Sequence, residues 1–225
     1  MKKWRDRFRA WRGQFHARSV EVDGIRLHIP PGVLDPVLFR SGFVFADFLQ
    51  THCTSNESVL DLGCGSGIVG VLTQRAGARV TATDVNPGAC EAARINGLKD
   101  VRQGDLFQAL NDEQFDHVAF NPPYLKGEPE SHPLGRALYG GPDLEVIRLF
   151  LEAFPQFVSP GGQAWMILSN MEPDAQALLG PEWGLAQETV VNDEILRIFR
   201  WSSNSQRDKI SVGPAELSSS DTSAT

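Results

Sequence analysis

From position 58 onward, short apolar runs alternate in kind and are set apart by Gly, Pro, Asn and Asp. "SVLDLG" reads as a strand, "IVGVLTQRAG" as a helix ending on Gly77, "ARVTATD" as a strand, and "PGACEAARING" as a helix with Pro87 in its first turn and Gly97 at its stop. A short strand near "DVRQGD", a strand over 115–120, a helix from about Pro142 to Phe157 and a strand at "GQAWMILS" after a Ser-Pro-Gly-Gly turn continue the rhythm. Alternation of this kind predicts a largely parallel sheet with helices on both faces. "GLAQETVV" and "EILRIFRW" differ, because only Asn192-Asp193 separates them. Two residues allow a hairpin and no crossover, so the last strand must run against the others.

The segment before position 58 is patterned otherwise. In "KKWRDRFRAWRGQFHAR", Trp4, Phe8, Trp11 and Phe15 recur at helical spacing among seven Lys or Arg and one Asp, which predicts a basic amphipathic helix. Such an arm can dock RNA or DNA, an acidic protein surface or a membrane face, or pack its aromatic stripe on its own domain. "SVEVDGIRLHI" places Asp23-Gly24 at a tight hairpin turn. "PPGVLDPVLFR" is irregular, and "SGFVFADFLQTH" reads as a helix capped by Ser41. After Trp201 the chain turns Ser-rich and polar, with little to bury. Three regions follow: an arm and hairpin over 1–40, a catalytic domain over 41–201 and a disordered tail over 202–225.

Composition narrows the class. With 225 residues, 41% hydrophobic and 22% charged, the chain fits one soluble domain, and a net charge of -7 argues against general attraction to nucleic acid. Cys53, Cys64 and Cys90 form no close pair, and the five histidines lack metal-ligand spacing, so neither a disulfide framework nor a metal site is expected. No run approaches the ~20 apolar residues of a membrane span. No apolar signal core follows the N-terminal charges, so a cytoplasmic location is expected.

Chemistry enters at the strand ends. "VLDLGCGSG" sets Gly63, Gly65 and Gly67 between a strand and a helix, where backbone can approach a ligand. The dinucleotide fingerprint wants a sixth-position glycine, and Ile68 stands there. Asp61 precedes the turn, Asp84 ends the next strand and is placed to accept ribose hydroxyls, and Asp105 follows the third strand, where it can accept from an adenine amino group. Together they predict a nucleoside site.

"FDHVAFNPPYLKG" then stops a strand on Asn121, Pro122, Pro123 and Tyr124. Prolines punctuate strands. The corner also suits a planar NH2 group, whose two N–H donors match the Asn121 side-chain oxygen and the Pro122 carbonyl, with Tyr124 as a stacking face.

"VLDLGCGSG", "ATDVNPGACEAARING", "GDLF", "NPPY" and "LYGGPDLEVIRLFL" together resemble the catalytic domain of the HemK-like S-adenosylmethionine-dependent methyltransferases, which include glutamine N5-methyltransferases of peptide-chain release factors. The resemblance spans about Ser41 to Trp201. It implies a Rossmann-like seven-stranded α/β sheet, mostly parallel with a reversed last strand, and S-adenosyl-L-methionine as cofactor. It also implies that Asp61, Gly63, Gly65 and Gly67 surround the methionine part, that Asp84 binds the ribose, and that Asp105 and Leu106 border the adenine. Asn121, on the cofactor side as well, would clamp the acceptor with Pro122 and Tyr124. The leading expectation is N-methylation of a protein glutamine. N6-adenine methylation of RNA or DNA, methylation of a small-molecule amine, and a non-catalytic cofactor-binding module stay open as alternatives.

Overall fold

Asp23 and Gly24 both take positive φ, 50° and 68°, and fold the chain back between β1 (Arg18–Val22) and β2 (Ile25–Ile29). The computed structural model describes residues 17–129 and 134–202. The expected basic helix therefore lies outside the described residues except for its last two positions, and Arg18 already opens β1. The expected disordered tail lies outside them from residue 203 onward.

After the hairpin come α1 (Ser41–His52), β3 (Ser58–Leu62), α2 (Ile68–Arg75), β4 (Arg79–Asp84), α3 (Pro87–Ile95), β5 (Asp100–Gln103) and β6 (Phe115–Phe120). They are followed by α4 (Gly135–Leu138), α5 (Glu145–Ala153), a 3₁₀ turn (Phe154–Phe157), β7 (Val158–Ser169), α6 (Pro173–Ala177), β8 (Gly184–Val191) and β9 (Glu194–Ser202). Seven strands form one sheet in the order β5-β4-β3-β6-β7-β9-β8. Pairing is parallel from β5 to β7, and β9 runs antiparallel to both β7 and β8, as the two-residue connection requires.

Side chains alternate between two cores, as strand geometry dictates. Val59, Ala119, Trp165 and Ile167 face α1, α2, α3 and β2, whereas Leu60, Val118, Met166 and Leu168 face α5 and the 3₁₀ turn. Phe150 anchors the second core, with ring centroids 4.7 Å from Phe120 and 5.1 Å from Phe154. The hairpin belongs to the first core through Leu27 and Ile29. Asn96, just past α3, fixes it there: its Oδ1 accepts from the His28 amide at 2.6 Å, and its Nδ2 donates to the His28 carbonyl at 3.0 Å and to the Ser66 carbonyl at 2.8 Å. Buried Asp35, ion-paired with Arg18, holds the irregular segment by accepting from the Val37 amide.

Three local expectations shift. Ser41 is the first residue inside α1 and does not cap it; Arg40 occupies the cap position without a side-chain bond. The helix expected from Pro142 starts at Glu145, because Leu144 sits in the left-handed region at φ 59°, and it tightens to a 3₁₀ turn where Pro155 removes a donor. The Ser-Pro-Gly-Gly turn lies inside β7, where the pairing register with β6 jumps from Phe115↔Val158 to His117↔Gln163. His117 is a satisfied core histidine: Trp165 Nε1 donates to its Nδ1 at 3.0 Å, and its Nε2 lies 3.1 Å from Glu57. No helix among the described residues is long and apolar enough to cross a membrane.

Candidate active site

Four neighbouring parallel strands, β5, β4, β3 and β6, end on the same side of the sheet, and a cavity of about 740 Å³ opens there. Its volume is that of sites for small molecules and cofactors. Asp61, Gly63, Gly65, Asp84, Asp105, Leu106 and Asn121 all line it. The topology thus brings together residues that the sequence spreads over sixty positions.

Asp61 is buried in β3, and its Oδ2 accepts from the Gly70 amide at 2.9 Å. Burial pushes its carboxyl up to about 7 against that hydrogen bond, with the nearby Asp84 adding to the rise. Asp84 ends β4 with each oxygen engaged, Oδ2 by the Gly65 amide and Oδ1 by the Asn86 amide, both at 2.8 Å. Burial raises its pKa while these two donors, with the Val85 amide, oppose the rise. A carboxylate oxygen can accept more than one bond, so both keep capacity for a ligand.

Gly65 holds φ 54°, and a Cβ built on it would meet nothing within 4 Å, so this part of the turn faces open space. Gly67 is different. It caps α2 at φ 81°, and a Cβ there would stand 3.1 Å from the Ala93 backbone, so its role is close packing of α2 on α3 and it is absent from the cavity wall. Asp105 is exposed at the rim, and Leu106 lines the cavity with φ 47°.

Asn121 follows β6, with its Nδ2 3.3 Å from Ser41 Oγ. It also borders a recess of about 30 Å³ that adjoins the cavity and includes Ser41, Pro122 and Tyr124. Pro122 and Tyr124 line this recess and not the main cavity. The Tyr124 hydroxyl lies 3.4 Å from Glu194 Oε1, and burial raises its pKa. Leu125 and Gly127 bridge to Tyr139 and Gly141, which ties the corner to the "LYGG" stretch.

Several wall residues escaped the sequence reading. Val33, Leu34 and Phe39, from the segment taken as an irregular connection, form one side of the cavity with Ser41 and Gly42. Asn86 caps α3 by accepting from the Gly88 amide and donates to the Gly32 carbonyl, holding that segment over the site. The available signal was the density of apolar residues in a Pro-rich loop, which a solvent-facing connector does not need.

The sequence profile of the family described as "Methyltransferase small domain" matches residues 41–192. A release factor glutamine methyltransferase of Geobacter sulfurreducens is 33% identical over 183 residues, covering 74% of this chain and 63% of that protein. A ribosomal protein uL3 glutamine methyltransferase of Bradyrhizobium diazoefficiens is 36% identical over 134 residues, covering 52% of this chain and 42% of that protein. The chain thus spans less than two thirds of the length of these relatives. Among solved structures, the T. thermophilus 16S rRNA N2 G1207 methyltransferase in complex with AdoMet and guanosine is similar with a TM-score of 0.59 at 21% identity, over 84% of this chain and 50% of that one, a likeness of fold. The match over 41–192, the seven-stranded sheet with its reversed strand and the glutamine methyltransferase relatives agree: the chain belongs to the methyltransferase small domain family, on its HemK-like side.

Proposed function

We propose that the protein is an S-adenosylmethionine-dependent N-methyltransferase whose acceptor is the side-chain amide of a glutamine in a protein. One observation carries the reading: Asn121 stands on the wall of the same cavity as Asp84 and Gly65 and also borders the adjoining recess lined by Pro122 and Tyr124, so it joins the nucleoside cradle to the NH2 corner. The residues fit the cofactor. Gly65 leaves open volume where a side chain would intrude, Asp84 keeps acceptor capacity for two ribose hydroxyls, and Asp61 and Gly63 stand on the side assigned to the methionine part. Asp105 and Leu106 line the same cavity, where by this reading they would border the adenine. When bound, S-adenosylmethionine supplies a methyl group already activated on a sulfonium.

The protein's own task is then orientation. Asn121 Oδ1 and the Pro122 carbonyl accept the two N–H bonds of the target, which directs the nitrogen lone pair toward the cavity. The prolines limit movement of that carbonyl, and Tyr124 supplies a flat face in the recess. Near-ideal positioning contributes on the order of 7 kcal/mol of barrier lowering. No nucleophile is required of the protein. The same reading assigns the protein to the cytoplasm, in keeping with three buried free cysteines.

The test is transfer from labelled cofactor to purified release factor, ribosomal protein uL3 and tRNA in separate incubations. The expected result is label in protein, on a glutamine. Label confined to tRNA would replace the glutamine reading with adenine methylation, and absence of cofactor binding by calorimetry would overturn both.

A further inference from the structure

The cavity and the small recess beside it share a rim. Leu34, Phe39, Ser41, Asn121 and Ala137 line both spaces, whereas Pro122 and Tyr124 line only the recess, and Asp61, Asp84 and Asp105 only the cavity. A methyl donor lying in the cavity and an NH2 group held by Asn121 and the Pro122 carbonyl therefore meet at this rim. Its polar members are Ser41 and Asn121. Its apolar members come from two separate stretches of chain.

Backbone and packing fix the apolar three. The Phe39 amide donates to the Asp35 carbonyl at 2.8 Å, and the buried Asp35 carboxylate accepts from the Val37 amide at 2.7 Å and the Leu38 amide at 3.4 Å. Ala137 belongs to α4, which the Leu125 amide joins by donating to the Leu138 carbonyl at 3.0 Å. Leu34 and Phe39 pack with buried Leu134 and Leu138 in a small core separate from the two that flank the sheet. That core ties the segment before α1 to α4. Leu34, Phe39 and Ala137 are nevertheless each only half-buried, which leaves apolar surface on the shared rim.

The size of the recess limits what enters it. A space of about 30 Å³ holds about two groups the size of a water, at ~10–15 Å³ each, so it seats a terminal NH2 and leaves the atoms behind it at the rim. A glutamine side chain brings CH2 groups there, which need no hydrogen bonds and gain by leaving water against apolar neighbours.

We infer that Leu34, Phe39 and Ala137 form an apolar collar around the stem of the acceptor amide, making Phe39 and Ala137 specificity-determining residues for transfer. The inference rests on the function proposed above for the identity of the stem, while the collar is a feature of the protein alone. Phe39 supplies contact area, and Ala137, the smallest side chain of the three, keeps the collar open.

Steady-state transfer to the acceptor labelled in the preceding experiment tests this. Phe39→Ala should raise acceptor KM about tenfold, the equivalent of losing burial of about two CH2 groups. Ala137→Leu fills the collar and should raise it by about tenfold or more. Cofactor Kd, measured by calorimetry, should stay within about twofold in both variants. Phe39→Leu should recover most of the affinity for the acceptor, and Ala137→Ser should behave as wild type. Leu38→Ala separates contact from packing, because Leu38 belongs to the same small core and lines neither space. It should lower the melting temperature and leave acceptor KM within about twofold. Wild-type KM in folded Phe39→Ala and Ala137→Leu overturns the collar, as does a Leu38→Ala protein whose KM rises as much as theirs. If the wild-type protein labels tRNA and no glutamine, the functional reading fails instead, and the same variants assayed on tRNA still decide whether the acceptor lies in the collar.

Discussion

The Gly65 amide donates to Asp84 Oδ2 at 2.8 Å, so the acid that ends β4 also shapes the glycine turn after β3. One side chain thereby joins two walls of the cavity. Asp84→Ala should weaken cofactor binding by about 1.5 to 3 kcal/mol, through loss of a charge-assisted bond and of the turn's anchor. Titration calorimetry on the folded variant measures this, and unchanged affinity would remove Asp84 from the ribose site.

Asp61 gives the free protein a pH signature. Its folded-state pKa is raised from 3.8 to about 7, so the folded state holds a proton that the unfolded chain releases. The sign is therefore the reverse of a salt-bridged acid: this contribution to stability is fully present below the unfolded value and is lost as pH rises toward about 7. Asp61→Asn should flatten that part of the profile between pH 4 and 7. Urea denaturation at several pH values, compared between the two proteins, checks it.

Asn121 offers a graded test of the clamp. Asn121→Ala should abolish most transfer while cofactor Kd stays within error. Asn121→Asp keeps two acceptor oxygens for the target, but an aspartate can no longer donate to Ser41 Oγ, where Nδ2 sits at 3.3 Å in the native protein. Its charge also favours a cationic ground state that fades during transfer. Its kcat should fall between those of Asn121→Ala and wild type, well below the latter. A folded alanine variant with near-normal turnover would leave the prolines as strand punctuation alone.

Asn96→Ala should loosen the hairpin and the glycine turn together. The substitution leaves the His28 amide and carbonyl and the Ser66 carbonyl without their side-chain partner. A stability loss of about 2 to 3 kcal/mol is expected, with faster hydrogen exchange at His28. Exchange measured by mass spectrometry resolves whether both segments respond.

The sheet was legible because each strand is an apolar run bounded by residues that cannot continue it. Phe115–Phe120 shows this at its cleanest, followed at once by Asn and two prolines. The reversed end was legible from two residues, Asn192 and Asp193. What the sequence did not display was use made of a residue across space. Ser41 has the chemistry of a cap, yet its hydroxyl serves Asn121, eighty residues away. Gly67 shares a motif with Gly65, but one glycine admits a ligand and the other admits a helix. Val33, Leu34 and Phe39 carried no periodicity because a cavity wall built from a loop has none. Tyr124 looked free to stack, and only the fold brings Glu194 to its hydroxyl.

The placement of β9 between β7 and β8 also orders events in time. During synthesis the wall of the cavity, which runs no further along the chain than Val146, emerges well before the strand that begins at Glu194. Tyr124 therefore emerges 70 residues before the carboxylate that its hydroxyl meets in the folded protein. That contact, and the core packing of Leu196 and Ile198, wait on the strand that runs antiparallel to both of its neighbours.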